Sequence, residues 1–353
     1  MAAGFYGLAG SLLGNRQFLL GSALPSYSLR TIDLVAQSVV IDMLGLLTLD
    51  YRKLCSWQQQ SLPFPEAEFA RLKASGVTVI HPAVGFLNAD AYDASCDDVA
   101  RWNRFLDAQA GKFIKINQPE DILLAKQTGR IGVILGFQNS QHFRTGQDVD
   151  RFYQLGQRVS QLTYYNNRLG AGSTDSASGL SAFGAQVIAR MNQLGMAVDV
   201  SHCGDRTTLD AIEASARPVL VTHSNCRALV PGSARCKSDE AIRRLAQKGG
   251  VFGVTMVRPF VRRSGEATIE QVLDHIDHVA RLVGVEHVGL GTDVDLDGRD
   301  KGLPLRSDLD GAHYEQKMFD VAEGLLRRGY SDAEAALVLG GNFQRILGQI
   351  WSK

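Results

Sequence analysis

The feature that most constrains the fold is a repeated unit: a short β-branched apolar run, a turn and an amphipathic segment. Eight such runs occur, at residues 39–42, 77–81, 131–137, 158–164, 196–202, 218–223, 249–255 and 287–293. Helical periodicity occupies residues 65–74, 91–110, 119–127, 147–156, 181–195, 206–215, 237–247 and 268–284, and two more helices are expected after the eighth run. Apolar strands that alternate with helices indicate a parallel sheet covered on both faces.

Eight such units predict an α/β fold of the (β/α)8 TIM barrel type, with residues 37–353 as one domain. The competing topology is an open, doubly wound sheet. Its nucleotide-binding signatures are missing, because no G-x-G-x-x-G follows the first strand and no G-x-x-x-x-G-K-[ST] occurs. The run "FIKIN" at residues 113–117 is a candidate for an extra strand outside the eight.

Residues 1–36 are predicted to be an N-terminal extension. They are apolar, but no positive charge precedes Arg16, and Arg16 interrupts any run long enough to span a bilayer. The extension is either a signal remnant or a segment packed on the domain. We therefore expect a cytoplasmic protein, with export to the periplasm as the alternative if the segment is a signal remnant.

The charge balance restricts the partners. The chain has 37 basic and 37 acidic side chains, so no net field attracts nucleic acid or an anionic membrane. No internal segment has the length and hydrophobicity of a transmembrane helix. A small-molecule ligand is the expected partner.

Polar side chains stand at the ends of the apolar runs, where a (β/α)8 barrel builds its active site. The residues that end or directly follow the eight runs are Asp42, His81, Gln138, Tyr164, His202, His223, Thr255 and Asp293. Since the strands themselves are apolar, a side chain able to donate, accept or ligate at nearly every end predicts a functional site.

His202, His223 and Asp293 form the sharpest subset. Two imidazoles and a carboxylate are a ligand set that leaves one metal position open for water or substrate. Zinc is the expected metal, and iron or manganese is possible because the same set describes non-haem iron sites. The alternative is that both histidines are hydrogen-bonded strand ends without a metal.

Two further residues are candidates for contact with a substrate. Arg235 follows the sixth unit, where its guanidinium would clamp a carboxylate or pair with a neighbouring acidic side chain. His81 precedes a proline at the end of the second run and would line the pocket or be structural.

Several segments resemble the membrane (renal) dipeptidase family of the amidohydrolase superfamily. They include "DVSH" (199–202), "VTHSN" (221–225), "HVGLGTDVD" (287–295) and the closing "GGNFQRIL" (340–347). The resemblance extends from about residue 130 to the C-terminus. It implies a (β/α)8 barrel that uses two zinc ions to hydrolyse dipeptides, often with a D-residue on the C-terminal side.

The resemblance assigns roles to four residues. His202 and His223 match the ligands of the second zinc ion. Asp293 matches the carboxylate that handles the proton and the substrate amine, and Arg235 matches the arginine that binds the substrate carboxylate.

Four positions depart from the family pattern. Leu44 and Leu46 stand where the first strand of the family supplies a histidine and an aspartate to the first zinc ion. Gln138 replaces the glutamate that bridges the metals, and Tyr164 replaces the histidine that contacts the substrate carbonyl. Because an aliphatic side chain has no lone pair to offer, a two-zinc site is not expected.

Together these residues predict a metal-dependent hydrolase with one divalent metal, acting on a dipeptide or small amide with a free carboxylate. Tyr164 would donate to the carbonyl or oxyanion, Gln138 would orient water or substrate, and Asp293 would ligate the metal or act as general base. Asn139 is a further candidate for substrate contact. The alternative is a catalytically silent barrel that binds a small carboxylated ligand or an assembly partner. A homodimer is possible.

Overall fold

The computed structural model describes residues 27–59, 63–84, 91–300 and 306–352. All eight predicted apolar runs contain a β-strand. The strands are β1 (Ile41–Asp42), β2 (Val79–Ile80), β3 (Ala83–Val84), β4 (Phe113–Lys115), β5 (Ile131–Val133), β6 (Gly136–Phe137), β7 (Val159–Gln161), β8 (Ala197–Asp199), β9 (Leu220–Ser224), β10 (Val251–Val254) and β11 (Val288–Leu290).

Every pair of neighbouring strands is parallel, and the sheet closes on itself. Strand β1 lies between β11 and β2. Strand β2 pairs with β5, and β3, which follows β2 directly, pairs with β6. From β6 onward each strand pairs with the next one in the chain, as far as β11. The two ends of the strand order therefore meet, and the predicted (β/α)8 barrel is confirmed. Strand β4 pairs with β5 outside this ring, which confirms the extra strand expected at 113–117.

Helices cover the sheet where periodicity predicted them. They are α1 (Leu29–Gln37), α2 (Tyr51–Trp57), α3 (Glu66–Ala74), α4 (Ala91–Ala108), α5 (Pro119–Thr128), α6 (Gly146–Gln154), α7 (Ala182–Leu194), α8 (Asp205–Ala214), α9 (Asp239–Gln247), α10 (Arg258–Val261), α11 (Ile269–Val283), α12 (Lys317–Arg327), α13 (Asp332–Ala336) and α14 (Asn342–Trp351). The sequence predicted no helix at α1, α2 or α10, and among the described residues three helices (α12, α13 and α14) follow the eighth run where two were expected.

Residues at its two ends determine where α7, the helix before the site, begins and ends. Ser181 caps α7, because its Oγ accepts a hydrogen bond from the Gly184 N–H at 2.9 Å. Gly195 ends the helix with a φ of 79°, a left-handed conformation that glycine adopts without steric cost. The chain then enters β8 and reaches His202 three residues after that strand ends.

The apolar core places the site at one end of the barrel. The first residues of β1, β7, β8, β9 and β10 form a buried cluster with Phe343 and Ile346 of α14. This cluster occupies the amino-terminal end of the strands, so the polar residues at the carboxyl ends lie at the opposite mouth.

Helix α1 packs against α12. The Tyr27 hydroxyl donates to Asp320 at 2.5 Å, and the Ser28 hydroxyl caps α1 by accepting from the Thr31 N–H at 3.2 Å. The remainder of the predicted extension, residues 1–26, lies outside the described residues. Within the described part of the chain, no helix combines the length and hydrophobicity needed to cross a membrane.

Candidate active site

His202 and His223 meet at the mouth of the barrel, as the strand ends predicted. Their Nε2 atoms lie 3.0 Å apart, and both side chains are buried. Burial lowers the pKa of each imidazole well below its usual value, and the nearby Arg235 guanidinium lowers both further. Both rings are therefore neutral at pH 7, which is the form that binds metal ions.

A buried hydrogen-bond chain fixes the tautomer of His223. The Thr222 hydroxyl donates to the Asp199 carboxylate at 2.7 Å, so its oxygen accepts from Nδ1 of His223 at 2.8 Å. Asp199 also accepts from the Ser201 hydroxyl at 2.5 Å. With its proton on Nδ1, His223 presents the lone pair of Nε2 toward His202. Such outer-shell partners orient metal-binding histidines in proteins.

Tyr164 connects the histidine pair to a cavity. Its ring stacks on His202 with a centroid distance of 4.0 Å and an interplanar angle of 23°. The same side chain lines a cavity of about 210 Å³, together with Gln138 and Asp293. The three residues predicted to be catalytic therefore share one cavity. Burial and the charge of Asp293 raise the pKa of Tyr164, so the hydroxyl remains protonated.

Asp293 is held by a residue that the sequence did not indicate. Nη1 of Arg299 donates to its Oδ1 at 2.9 Å and to its backbone carbonyl at 2.5 Å. Asp293 has a φ of 59°, a left-handed conformation that is uncommon for a residue with a Cβ and occurs most readily at Asn and Asp. Burial raises the pKa of the carboxyl group, and Arg299 acts in the opposite direction.

Arg235 lies under the strand ends. Its Nη1 donates to the Ser201 carbonyl at 2.7 Å and its Nη2 to the His223 carbonyl at 2.8 Å. Its Nε is buried and has no partner among the described atoms. The guanidinium therefore ties the ends of β8 and β9 together and retains one free donor.

The other two predicted substrate contacts lie elsewhere. Nδ1 of His81 donates to the Met43 carbonyl at 2.7 Å, and the ring is buried. Asn139 accepts from the Asn167 side chain at 2.8 Å. In the described part of the chain, neither residue is among those that line the cavity. Their role in substrate binding stays a prediction.

The donor atoms of the site determine how many metal ions it could bind. Zn–N bonds are about 2.0–2.1 Å long, so two nitrogens 3.0 Å apart can both reach one ion. Across the residues that the structure describes, no three His, Cys, Asp or Glu side chains converge closely enough to hold a metal. Asp293 is thus not placed as a third ligand. Leu44 is fully buried and, like Leu46, offers no donor atom. Two imidazoles are thus within reach of one ion, and residues 44 and 46 lack the donor atoms that would hold a second ion there.

Two features of the site were missed by sequence reasoning. The hydrogen-bond chain through Asp199 and Thr222 could have been suspected from the sequence, since both are polar residues within buried apolar strands. No sequence pattern indicates that Arg299 contacts the site, because it lies in an irregular loop after β11. The path of such a loop is not determined by hydrophobic periodicity.

The barrel with paired histidines at the ends of β8 and β9 belongs to the amidohydrolase class of folds. More narrowly, residues 30–352 match the family described as membrane dipeptidase, peptidase family M19. The chain belongs to this family, which confirms the resemblance seen in the sequence.

Solved structures agree with this assignment. An amidohydrolase from Pseudomonas aeruginosa is 28% identical, with a TM-score of 0.78 over 92% of this chain and 99% of that one. A metallo peptidase from Rhodobacter sphaeroides, liganded with a phosphinate mimic of L-Ala-D-Ala, is 20% identical, with a TM-score of 0.76 over 89% and 100% of the two chains. The second likeness shows a shared fold.

Two fungal relatives are similar in sequence. Dipeptidase tcpJ of Claviceps purpurea is 29% identical over 253 residues, which cover 70% of this chain and 57% of that protein. Dipeptidase verJ of Clonostachys rogersoniana is 34% identical over 232 residues, which cover 64% and 56%. The chain thus spans a little over half the length of each.

Proposed function

We propose that this protein is a metal-dependent hydrolase that cleaves the amide bond of a dipeptide or a similar small amide. The observation that carries the proposal is the neutral histidine pair, with Nε2 atoms 3.0 Å apart, beside a cavity that Gln138, Tyr164 and Asp293 line. The names of the fungal relatives, both called dipeptidases, support the same reaction.

His202 and His223 would hold one divalent metal, zinc by default. The chemistry that such a metal supplies when bound is polarisation of the amide carbonyl and a lowered pKa of water. Thr222 and Asp199 keep the proton of His223 on Nδ1 at 2.8 Å from the Thr222 hydroxyl, so Nε2 remains available as a ligand.

Asp293 acts as the general base. Its burial raises the pKa of the carboxyl group, which makes it a stronger base than an exposed aspartate, and Arg299 opposes that rise. It takes a proton from the attacking water and passes it to the amide nitrogen, which leaves as an amine. Tyr164 donates its hydroxyl proton to the developing oxyanion, and Gln138 orients the water or the substrate.

Arg235 contributes in two ways. It fixes the carbonyls of Ser201 and His223, and therefore the backbone that carries the metal ligands. Its buried Nε lacks a partner, and an unpaired buried donor favours an acceptor such as the carboxylate of a substrate. His81 and Asn139 remain proposed contacts.

The proposal is tested by hydrolysis of L-Ala-L-Ala and L-Ala-D-Ala with protein loaded with zinc, manganese or iron. His202→Ala and His223→Ala should each lower kcat/KM at least about 100-fold, since a metal ligand is lost. His278→Ala is the matched control, because His278 lies on the outer helix α11 and pairs with Asp239 at 2.8 Å. Wild-type activity in both site variants would refute the proposal.

The catalytically silent barrel is the second candidate. The pairing of Asp293 with Arg299 and the lack of three converging ligands within the described residues favour it. It predicts that the protein hydrolyses no dipeptide or small amide with any of the three metals.

A further inference from the structure

The cavity beside the histidine pair contains two carboxylates and two guanidiniums, and each carboxylate is already paired. Asp293 is held by Arg299 at 2.9 Å, and Asp98 forms an ion pair with Arg101. All four residues line the cavity. In the described part of the chain, the cavity therefore offers no unpaired carboxylate.

The rest of the wall combines apolar side chains with the polar side chains of Thr48, Tyr51, Gln58, Gln138 and Tyr164. Leu46, Leu49, Leu54 and Trp102 line it, and Trp102 is almost fully buried. Leu46 is the residue that stands where the family has a metal-binding aspartate. The departure from the family pattern has thus placed hydrocarbon, in the position of a carboxylate, in the cavity that Asp293 also lines.

These contacts disfavour a free α-ammonium group. An ammonium loses its hydration on entering the cavity, and this cost is offset only by a carboxylate that is free to pair with it. Asp293 is the residue that matches the family carboxylate for the substrate amine, yet its charge is balanced by Arg299, and Arg299 repels a second cation.

We propose, on the basis of the function proposed above, that the group bound in this cavity is apolar and carries no free amine. The substrate is then an N-acyl amino acid. Its hydrolysis adds the oxygen of water to the acyl carbon, breaks the C–N bond and places a proton on the leaving nitrogen. The cavity has a volume of about 210 Å³, and a six-carbon acyl group is the probe that we choose to test it.

Two substrates that differ only in the amine test the proposal. N-hexanoyl-L-leucine and L-norleucyl-L-leucine have the same carbon skeleton, but the second carries an α-ammonium group. We expect the metal-loaded wild-type protein to have a kcat/KM at least tenfold higher for the hexanoyl compound. The leucine is tested in both its L and D forms, since either stereochemistry leaves the comparison intact.

Variants of Arg299 show whether the ion pair causes the preference. Arg299→Met releases Asp293, so the norleucyl compound should gain at least tenfold relative to the hexanoyl compound. Arg299→Lys keeps a cation beside Asp293 and should retain the wild-type preference. Arg262→Met is the matched control, because Arg262 is an exposed arginine outside this cavity and contacts the Glu266 carbonyl.

A wild-type preference for the norleucyl compound overturns the inference and leaves the proposed hydrolase function standing. If neither compound is hydrolysed, the hydrolase function fails, and calorimetry with the two acyl-side products then decides the inference. Binding of hexanoate with at least tenfold higher affinity than norleucine supports it. Equal or reversed affinities refute it.

Discussion

Lys317 carries a buried ammonium group that joins β1 to the end of β11. Its Nζ lies 3.2 Å from Oδ2 of Asp42, and it donates to the Thr292 hydroxyl at 2.9 Å and to the Val294 carbonyl at 3.0 Å. Asp42 in turn accepts from the Thr292 backbone N–H at 2.8 Å and from its hydroxyl at 2.6 Å. These bonds close the barrel between its first and last strands.

Removal of this ammonium should be costly. Lys317→Met keeps the length of the side chain but leaves the Asp42 carboxylate buried, 1% exposed, without its counter-charge. Loss of one partner of a buried ion pair costs about 3–5 kcal/mol, so we expect the free energy of unfolding to fall by about that amount. Asp42→Asn should cost a similar amount, because it leaves the ammonium unpaired.

Urea unfolding followed by circular dichroism measures both effects and their coupling. The double variant should be more stable than the sum of the two single losses predicts, by at least about 2 kcal/mol, because neither charge is then left alone. Arg30→Met is the control, since Arg30 and Asp332 form a pair whose side chains are 57% and 60% exposed and should contribute under about 1 kcal/mol. A Lys317→Met loss no larger than the control, or strict additivity, would refute the reasoning.

Two other predictions concern buried histidines. Burial lowers the pKa of His142 to about 4, so below its ordinary value of 6.5 the unfolded chain takes up a proton that the folded chain does not. Stability should fall by up to about 3 kcal/mol as the pH drops from 6.5 to 4, and His142→Gln should flatten that decline in urea titrations; an unchanged pH dependence contradicts the assignment. In Gly136→Ala the new Cβ would lie 2.0 Å from Nε2 of His81, so we expect a loss of about 1–3 kcal/mol by thermal unfolding. An unchanged melting temperature would show that His81 moves freely.

Much of the fold followed from local patterns. The run at 196–202 predicts a strand because its apolar residues alternate, and β8 forms within it at Ala197–Asp199. The sequence did not reveal that β2 and β3 are separate elements. The Ile80 carbonyl accepts from the N–H of Ile134, which lies between β5 and β6, at 2.9 Å, and such a contact between distant residues leaves no periodic signal.

The site was predictable where it depends on strand ends and unpredictable where it depends on loops. The positions of His202 and His223 follow from those of their strands, so the sequence could predict that the two rings converge, although not that their Nε2 atoms lie 3.0 Å apart. The pairing of Asp293 with Arg299 depends on a loop, and the sequence, which offered Asp293 as a metal ligand or as the general base, gave no sign of it. Arg235 was expected to clamp a substrate carboxylate or to pair with a neighbouring acidic side chain. The sequence did not indicate that two of its donors hold the backbone carbonyls of Ser201 and His223.

The central proposal is that His202 and His223 would hold one divalent metal at the barrel mouth. Anomalous diffraction at the zinc edge, from crystals of zinc-loaded wild-type protein, tests it most directly. The account predicts one peak per chain within bonding distance of Nε2 of both His202 and His223, and none in His202→Ala. Two peaks, with the second beside Leu44 and Leu46, or no peak at any zinc concentration, would contradict it.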